Sequence, residues 1–519
     1  MGGNEGTAPQ GPDLASGLPV DQVPDGAMVA GHVGSEAVLL ARQAGQWYAI
    51  GAVCSHYSGP LAEGLLVGDS VRCPWHHACF SLRTGQSLRP PGLNDVSCWR
   101  VEQRGDRVFV TGKVPDQPRK QPVPSGRSGG PDSVVIVGAG AAGECTAETL
   151  REAGYAGAVT LVDPDPDAPY DRPNCSKDYL AGTASEDWIP LHPPEFYRDL
   201  EIDIIRNRRV TNIEPRARRI RLDDGATLEY GALVLATGAT PVRLPSEFDQ
   251  SSPPVHYLRS FADSKTIIAA AANTRRAVVL GTSFIGLEVA ASLRARKLEV
   301  HVVGPDARPL ERVLGAELGD FIRRLHEEHG VVFHLQQKPA AIRDGVVTLE
   351  SGERLAADLV VAGIGVRPNI ELAQAAGLAI DRGVLVNQWL ETSAPGVFAA
   401  GDIARWPDPR SGEPIRVEHW VVAQRQGHAV ARAILGDKAP FHSVPFFWSQ
   451  HYDVPINYVG HAERWDRIVV DGDIEARDCA VRYQLDGRTA AVATIYRDQE
   501  SLQAELAMEQ ARSSPPVPA

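Results

Sequence analysis

Cys54, His56, Cys73 and His76 carry the most chemically pointed spacing near the start of the chain. Cys54-Ser-His56 is followed, after sixteen residues, by Cys73-Pro-Trp-His76. Each pair sits in a turn-rich loop, with Ser58-Gly59-Pro60 after the first and Pro74 inside the second. Two thiolates and two imidazoles in this paired spacing suit either tetrahedral zinc or a two-iron cluster. A Cys-x-His pair and a Cys-x-x-His pair can each place a thiolate on one iron and an imidazole on the other. Zinc sites more often pair Cys with Cys and His with His. His77 falls outside the spacing and reads as an exposed neighbour.

A second chemistry begins at Val134, where four β-branched residues run into Gly138-Ala-Gly140-Ala-Ala-Gly143 and a helix-forming stretch. Strand, glycine turn and helix make a dinucleotide-binding unit, in which backbone N–H groups approach a pyrophosphate. Asp163 closes a second apolar strand twenty residues after Gly143, where a ribose-binding carboxylate belongs. The logic repeats from Arg276 to Gly281, Ser283, Ile285, Gly286 and Glu288, so two dinucleotides are expected. Further glycine-ended strands close at Thr237-Gly238 and Gly365, and Gly396 to Asp402 ends in a carboxylate that could accept from ribityl hydroxyls. Glu288 could be a surface charge on an amphipathic helix. Its neighbours Leu287, Val289 and Ala290 favour a buried, functional carboxylate instead.

The elements that must position these groups fall into several domains, as 519 residues require. Residues 1–17 read as disordered. Short β-type runs at 37–40, 47–50, 70–72 and 108–111, with no helical period, predict a small all-β domain over 18–113. The Pro- and Gly-rich stretch 114–132 reads as a semi-stiff tether that would let the first domain swing. Segments 133–255 and 366–436 then form one dinucleotide domain of α/β type and 256–365 the other. Residues 440–510 alternate short strands and end in a helical run, an α+β domain, and the tail from Ser513 reads as disordered. Net charge −13 argues against nucleic acid as a partner. The absence of an 18-residue apolar run or a basic leader points to a cytoplasmic protein with no membrane contact. Seven cysteines in such a chain read as metal ligands or buried thiols rather than a disulfide framework.

The stretch from Cys54 through Cys73-Pro-Trp-His-His-Ala-Cys-Phe-Ser-Leu-Arg-Thr-Gly strongly resembles a Rieske ferredoxin domain. The resemblance implies that Cys54 and Cys73 bind one iron of a [2Fe–2S] cluster and His56 and His76 the other. Tyr57 to Pro60 lacks the extra cysteine of high-potential Rieske proteins, so a lower-potential cluster is implied and Cys79 and Cys98 read as buried thiols. From Ser133 onward the chain resembles the FAD-dependent NAD(P)H:ferredoxin reductases of oxygenase systems and the apoptosis-inducing-factor group. Tyr170-Asp-Arg-Pro-x-x-Ser-Lys177, Gly-x-x-x-Ile-Gly-Leu-Glu288, Ala-Ala-Gly-Asp402, Val-Glu-His-Trp420 and Phe446-Phe-Trp448-Ser-Gln-His-Tyr-Asp453 carry the likeness. A Rieske domain before such a reductase is similar to the apoptosis-inducing factor 3-type proteins.

By that resemblance Gly138, Gly140, Gly143 and Asp163 hold the FAD diphosphate and ribose, and Arg172 and Lys177 lie along the flavin nucleotide. Thr237 and Gly238 follow FAD, and Asp402 meets its ribityl chain. Gly281, Ser283, Ile285, Gly286, Glu288 and Gly365 line the nicotinamide nucleotide. Glu418, His419 and Trp420 sit at the nicotinamide–flavin junction and Trp448 at the flavin edge. Lys177, Glu288 and Trp448 are the catalytic candidates. Gly304 stands where an NADH enzyme usually carries an acidic residue, and Arg308 could meet a 2′-phosphate. NADH and NADPH therefore both stay open, with NADH favoured by the resemblance.

The expected function is electron transfer from NAD(P)H through FAD to the chain's own [2Fe–2S] cluster and on to an acceptor such as an oxygenase component, in a monomer or homodimer. Two alternatives stand beside it. One is a single-cysteine oxidase or peroxide or disulfide reductase using Cys175, which otherwise reads as a buried thiol. The other is a slow-turnover redox sensor.

Overall fold

The computed structural model describes residues 10–115, 130–248 and 250–511. The predicted tether therefore lies mostly outside the described residues, as does the C-terminal tail. Residues 10–17 are not the disordered leader expected from composition: Leu14 is fully buried, and its N–H donates to His32 O at 2.9 Å. The chain divides into two compact units, Met1–Pro124 with Arg151–Gly154 and Arg497–Ala519, and Ser125–Leu150 with Tyr155–Tyr496.

The smaller unit is built on β structure, as the short alternating runs require. A six-stranded antiparallel sheet takes the order Leu18–Pro19, Arg107–Lys113, Cys98–Arg104, Gln46–Gly51, Glu36–Gln43, Ala27–Val33. A four-stranded sheet of Leu65–Val67, Ser70–Arg72, Cys79–Ser81 and Ser87–Arg89 carries the second metal-ligand loop between its middle strands. Leu39, Ile50, Leu61, Val71, Phe80 and Leu82 fill the space beneath both ligand loops. The helix Asp498–Gln510 belongs to this unit, although it closes the stretch expected to be one C-terminal domain.

The larger unit contains two parallel five-stranded sheets. The first runs Ile202–Arg206, Ala158–Asp163, Ser133–Val137, Ala232–Leu235, Val397–Ala399. The second runs Val255–Tyr257, Leu359–Ala362, Arg276–Leu280, Glu299–Gly304, Val331–Leu335. Their central strands are covered on both faces, which is why they read as unbroken apolar runs rather than alternating ones. A further five-stranded sheet is antiparallel, beside smaller ones: Phe446–His451, Val454–Gly460, Arg488–Ile495, Asp478–Leu485, Arg467–Asp473. Its outer strand, Arg467–Asp473, is largely exposed and carries Ile468-Val469-Val470 without alternation, so no periodicity announced it. Among the described residues no helix is long and apolar enough to cross a membrane.

Candidate active site and cluster centre

A cleft of about 1430 Å³ opens at the C-terminal ends of the two parallel sheets. It exceeds the roughly 300–1,000 Å³ of a single small-molecule pocket, as two dinucleotides would require. Gly138, Gly140, Asp163, Arg172, Lys177, Thr237, Gly238, Ser283, Ile285, Glu288, Gly365, Asp402, Glu418, His419, Trp420 and Trp448 all line it. Gly143, Gly281 and Gly286 stand behind the wall. A Cβ on Gly143 would fall 1.8 Å from Gly138 O, and one on Gly286 2.4 Å from Gly281 O. These glycines let each helix close onto its strand.

At the first turn, Asp163 accepts from Ala139 N and, at 2.7 Å, from Asp165 N. Burial pushes its carboxyl up against these two donors. A side chain at Gly140 would meet only Arg172 Nη2, at 3.9 Å, so the turn offers a cradle beside the N-terminus of helix Ala141–Glu152 and a guanidinium. That donor set fits an FAD pyrophosphate. The second turn is tightened by Ser283, which caps helix Phe284–Ala295 by accepting from Gly286 N at 3.3 Å and donates to Gly363 O at 2.6 Å.

Where the two halves meet, Glu288 is buried. Its Oε2 accepts from Lys177 Nζ at 2.9 Å and Ser176 Oγ at 2.5 Å, and its Oε1 from Ser449 Oγ at 2.6 Å. Burial alone would raise the carboxyl; the Lys177 ammonium and the two hydroxyls outweigh it and hold it below the usual value. Lys177 Nζ also lies 5.9 Å from the centre of the Trp448 ring. Asp402 is paired, with Arg259 Nη2 2.6 Å from its Oδ2. Arg416 donates to Asp402 O at 2.9 Å and to Glu418 at 2.5 Å. Arg259, Arg416, Ser176 and Ser449 were not singled out in the sequence. The two serines lie inside the recognised motifs, next to Lys177 and Trp448, which was the available signal.

Cys175 sits outside this wall, 2% exposed among Tyr170, Tyr179, Ile189 and Phe261. Burial pushes its thiol up to about 12, so it remains protonated and poorly nucleophilic at neutral pH. Arg308 is held by Asp320 at 2.9 Å and Glu311 at 3.0 Å. A Cβ on Gly304 would meet Thr282 Cγ2 at 2.4 Å, so packing excludes a side chain there.

In the smaller unit the four predicted metal ligands converge. Cys54 and Cys73 are buried and hydrogen-bonded to one another, and His56 Nδ1 lies 3.1 Å from His76 Nδ1. Sulfur thus faces sulfur and imidazole faces imidazole, the donor distribution a Rieske [2Fe–2S] cluster needs. Gly59 is required here, since a Cβ would approach Cys73 Sγ to 2.6 Å. His77 is not an exposed neighbour. It is fully buried, with Nδ1 3.1 Å from Glu505 and Nε2 3.2 Å from Ser501 Oγ. Glu505 also accepts from Arg72 at 3.2 Å and Arg89 at 2.7 Å, and Glu509 from the same two arginines at 2.6 and 2.8 Å. Cys79 is buried as expected, whereas Cys98 is half-exposed and donates to Arg83 O at 3.3 Å.

Comparison with known proteins agrees with this geometry. Residues 132–427 match the model of the pyridine nucleotide-disulphide oxidoreductases, more than half of the chain. The chain belongs to that family. A Rieske [2Fe-2S] domain matches residues 16–100 and a reductase C-terminal domain 446–518. Apoptosis-inducing factor 3 of Homo sapiens is 32% identical over 495 residues, covering 92% of this chain and 81% of that protein. The ferredoxin–NAD(+) reductase component of the anthranilate 1,2-dioxygenase system of Burkholderia cepacia is 38% identical, covering 70% of this chain and 91% of its own. The reductase in the crystal structure of the covalent putidaredoxin reductase–putidaredoxin complex superposes with a TM-score of 0.70 at 34% identity, covering 75% of this chain and 97% of that one. This oxidoreductase is therefore of the ferredoxin–NAD(P)+ reductase type, with FAD, NAD(P)H and a [2Fe–2S] cluster as its cofactors.

Proposed function

We propose that this oxidoreductase passes electrons from NADH through FAD to its own Rieske cluster and then to a separate acceptor protein, an oxygenase component being the favoured class. The observation that carries the reading is the presence, in one chain, of a two-nucleotide cleft and a converged two-thiol, two-imidazole centre. FAD supplies the conversion of a two-electron hydride into single electrons, and the cluster carries one electron at a time. The chain's residues prepare this. Gly138, Gly140, Asp163 and Arg172 hold the FAD diphosphate and ribose, Thr237, Gly238 and Asp402 follow the rest of FAD, and Ser283, Ile285 and Gly365 seat the nicotinamide nucleotide. Gly143, Gly281 and Gly286 shape the two turns from behind. Glu418, His419 and Trp420 lie at the junction. Glu288 fixes Lys177 beside Trp448, so that alignment rather than a strong base promotes hydride transfer. NADH is preferred over NADPH because Arg308 is already engaged by two carboxylates. The burial of Cys175, which pushes its thiol up, speaks against the single-cysteine alternative. We place the protein in the cytoplasm.

The test is anaerobic reduction by one equivalent of NADH. The reading expects flavin absorbance to bleach and a Rieske-type EPR signal to appear. Bleaching with a silent cluster would refute it.

A further inference from the structure

A hydride brings two electrons and one proton, but an iron–sulfur acceptor takes electrons alone. NADH and two oxidised one-electron acceptors therefore give NAD⁺, two reduced acceptors and one proton, which must leave the cleft in every turnover. That proton release presupposes the electron path proposed above. From Glu288, on the cleft wall, a single line of polar atoms runs away from the cleft. Ser449 Oγ lies 2.6 Å from Glu288 Oε1 and 3.2 Å from His451 Nε2. His451 Nδ1 lies 3.2 Å from His326 Nε2, and His326 Nδ1 3.2 Å from Tyr452 Oη. Glu288, Ser449, His451 and His326 are buried, and Tyr452 is partly exposed. Ser449, His451, His326 and Tyr452 do not line the cleft.

We infer that Glu288, Ser449, His451, His326 and Tyr452 form the route by which that proton leaves. Two neutral imidazoles, each with one N–H and one lone pair, complete the line in two ways. With Glu288 ionised, every shared proton points toward it: Ser449 donates to Glu288, His451 Nε2–H to Ser449, His326 Nε2–H to His451 Nδ1, and Tyr452 to His326 Nδ1. With Glu288 protonated, every proton can point outward. One passage converts the outward set to the inward set. The Glu288 proton goes to Ser449 Oγ, the Ser449 proton to His451 Nε2 and the His451 Nδ1 proton to His326 Nε2. The His326 Nδ1 proton then goes to Tyr452 Oη, which gives its own to water. Each step breaks one O–H or N–H bond and forms another, and Glu288 ends ionised. Burial keeps both imidazoles neutral, His451 down to about 4 and His326 well below its usual value, so neither traps the proton as a cation.

The test compares the wild type with His326→Phe and Tyr452→Phe in the holoprotein, with a pH-indicator dye and an excess of an artificial one-electron acceptor. Bleaching of the flavin by NADH exports no proton and stays within twofold of wild type in both variants. Proton release after oxidant addition falls at least tenfold in His326→Phe and less in Tyr452→Phe. In ¹⁵N-histidine spectra of the wild type, both rings show the Nε2–H tautomer, and the His451 signals shift in both variants. Wild-type proton release in both variants, or unmoved His451 signals, would overturn the route. Should His326→Phe fail to fold, Tyr452→Phe carries the decision. Failure of the wild-type flavin to bleach at all would instead fault the proposed function.

Discussion

Glu288 and Glu505 are both buried carboxylates under cationic side chains, one in the reductase cleft and the other beside the second ligand loop of the Rieske domain. Glu288 holds one ammonium and two hydroxyls; Glu505 holds two guanidiniums and an imidazole. Glu288 faces the cleft and fixes Lys177 on its wall. Glu505 does not line that cleft and braces Arg72, His77 and Arg89 around the loop that carries Cys73 and His76. A buried ion pair adds little net stability over an apolar replacement, yet removing one partner strands the other in a low dielectric. The two carboxylates should therefore fail differently, the first in rate and the second in assembly.

The largest expected effect is at Glu505. Glu505→Ala leaves Arg72 and Arg89 with only the half-buried Glu509 as counter-charge and should destabilise the smaller unit, by at most the roughly 3–5 kcal/mol of a buried pair broken outright. Chemical denaturation would measure this, and iron analysis should show reduced cluster content with flavin content unchanged. Wild-type iron content and stability would contradict the bracing role. Glu288→Gln should leave the fold and both cofactors in place while slowing flavin bleaching by NADH about 100-fold in stopped flow, because Lys177 is no longer held in register. A parallel loss of iron would erase the contrast between the two sites.

The pH response sharpens the same contrast. The Glu288 carboxyl lies below its ordinary value, so its contribution is present above the unfolded-state pKa of about 4.3 and is lost as pH falls through the lower folded value. Flavin reduction by NADH should hold constant from about pH 8 to pH 5 and weaken only below the ordinary carboxylate range. A decline centred near neutrality would show that Glu288 is not the ionised anchor. The smallest effect is expected at Arg308, whose partly exposed pairs with Asp320 and Glu311 should contribute about 1 kcal/mol or less. Arg308→Ala should leave the preference for NADH over NADPH unchanged in steady-state assays. A shift of tenfold or more would assign Arg308 to cofactor selection.

Most of the cleft was legible in the sequence because its geometry is local. An apolar strand ending in glycine reports its own turn, as Val134 to Gly143 and Ala277 to Gly286 do, and the Cys–His spacing reports a shared centre. The rest depends on partners far apart in the chain. Glu505 and Arg72 are separated by 433 positions, and nothing near either one names the other. The available hint was a glutamate on the buried face of its helix, in register with Ser501 and Leu502. His77 was misread for the same reason, since its burial comes from that helix rather than from its own loop. Ser449 and His451 were inside a recognised motif, but their hydrogen bonds run to Glu288 and His326 on other elements. Leu14 lay in a stretch whose composition alone suggested disorder.

Electrons should leave the reductase through the chain's own cluster, and Cys73→Ser, prepared with flavin intact, tests this beside the wild type. NADH is given to both and reduction of a one-electron acceptor protein is followed. Flavin should bleach at equal rates in the two proteins, and acceptor reduction should be lost in the variant. Acceptor reduction at the wild-type rate without a cluster would contradict it.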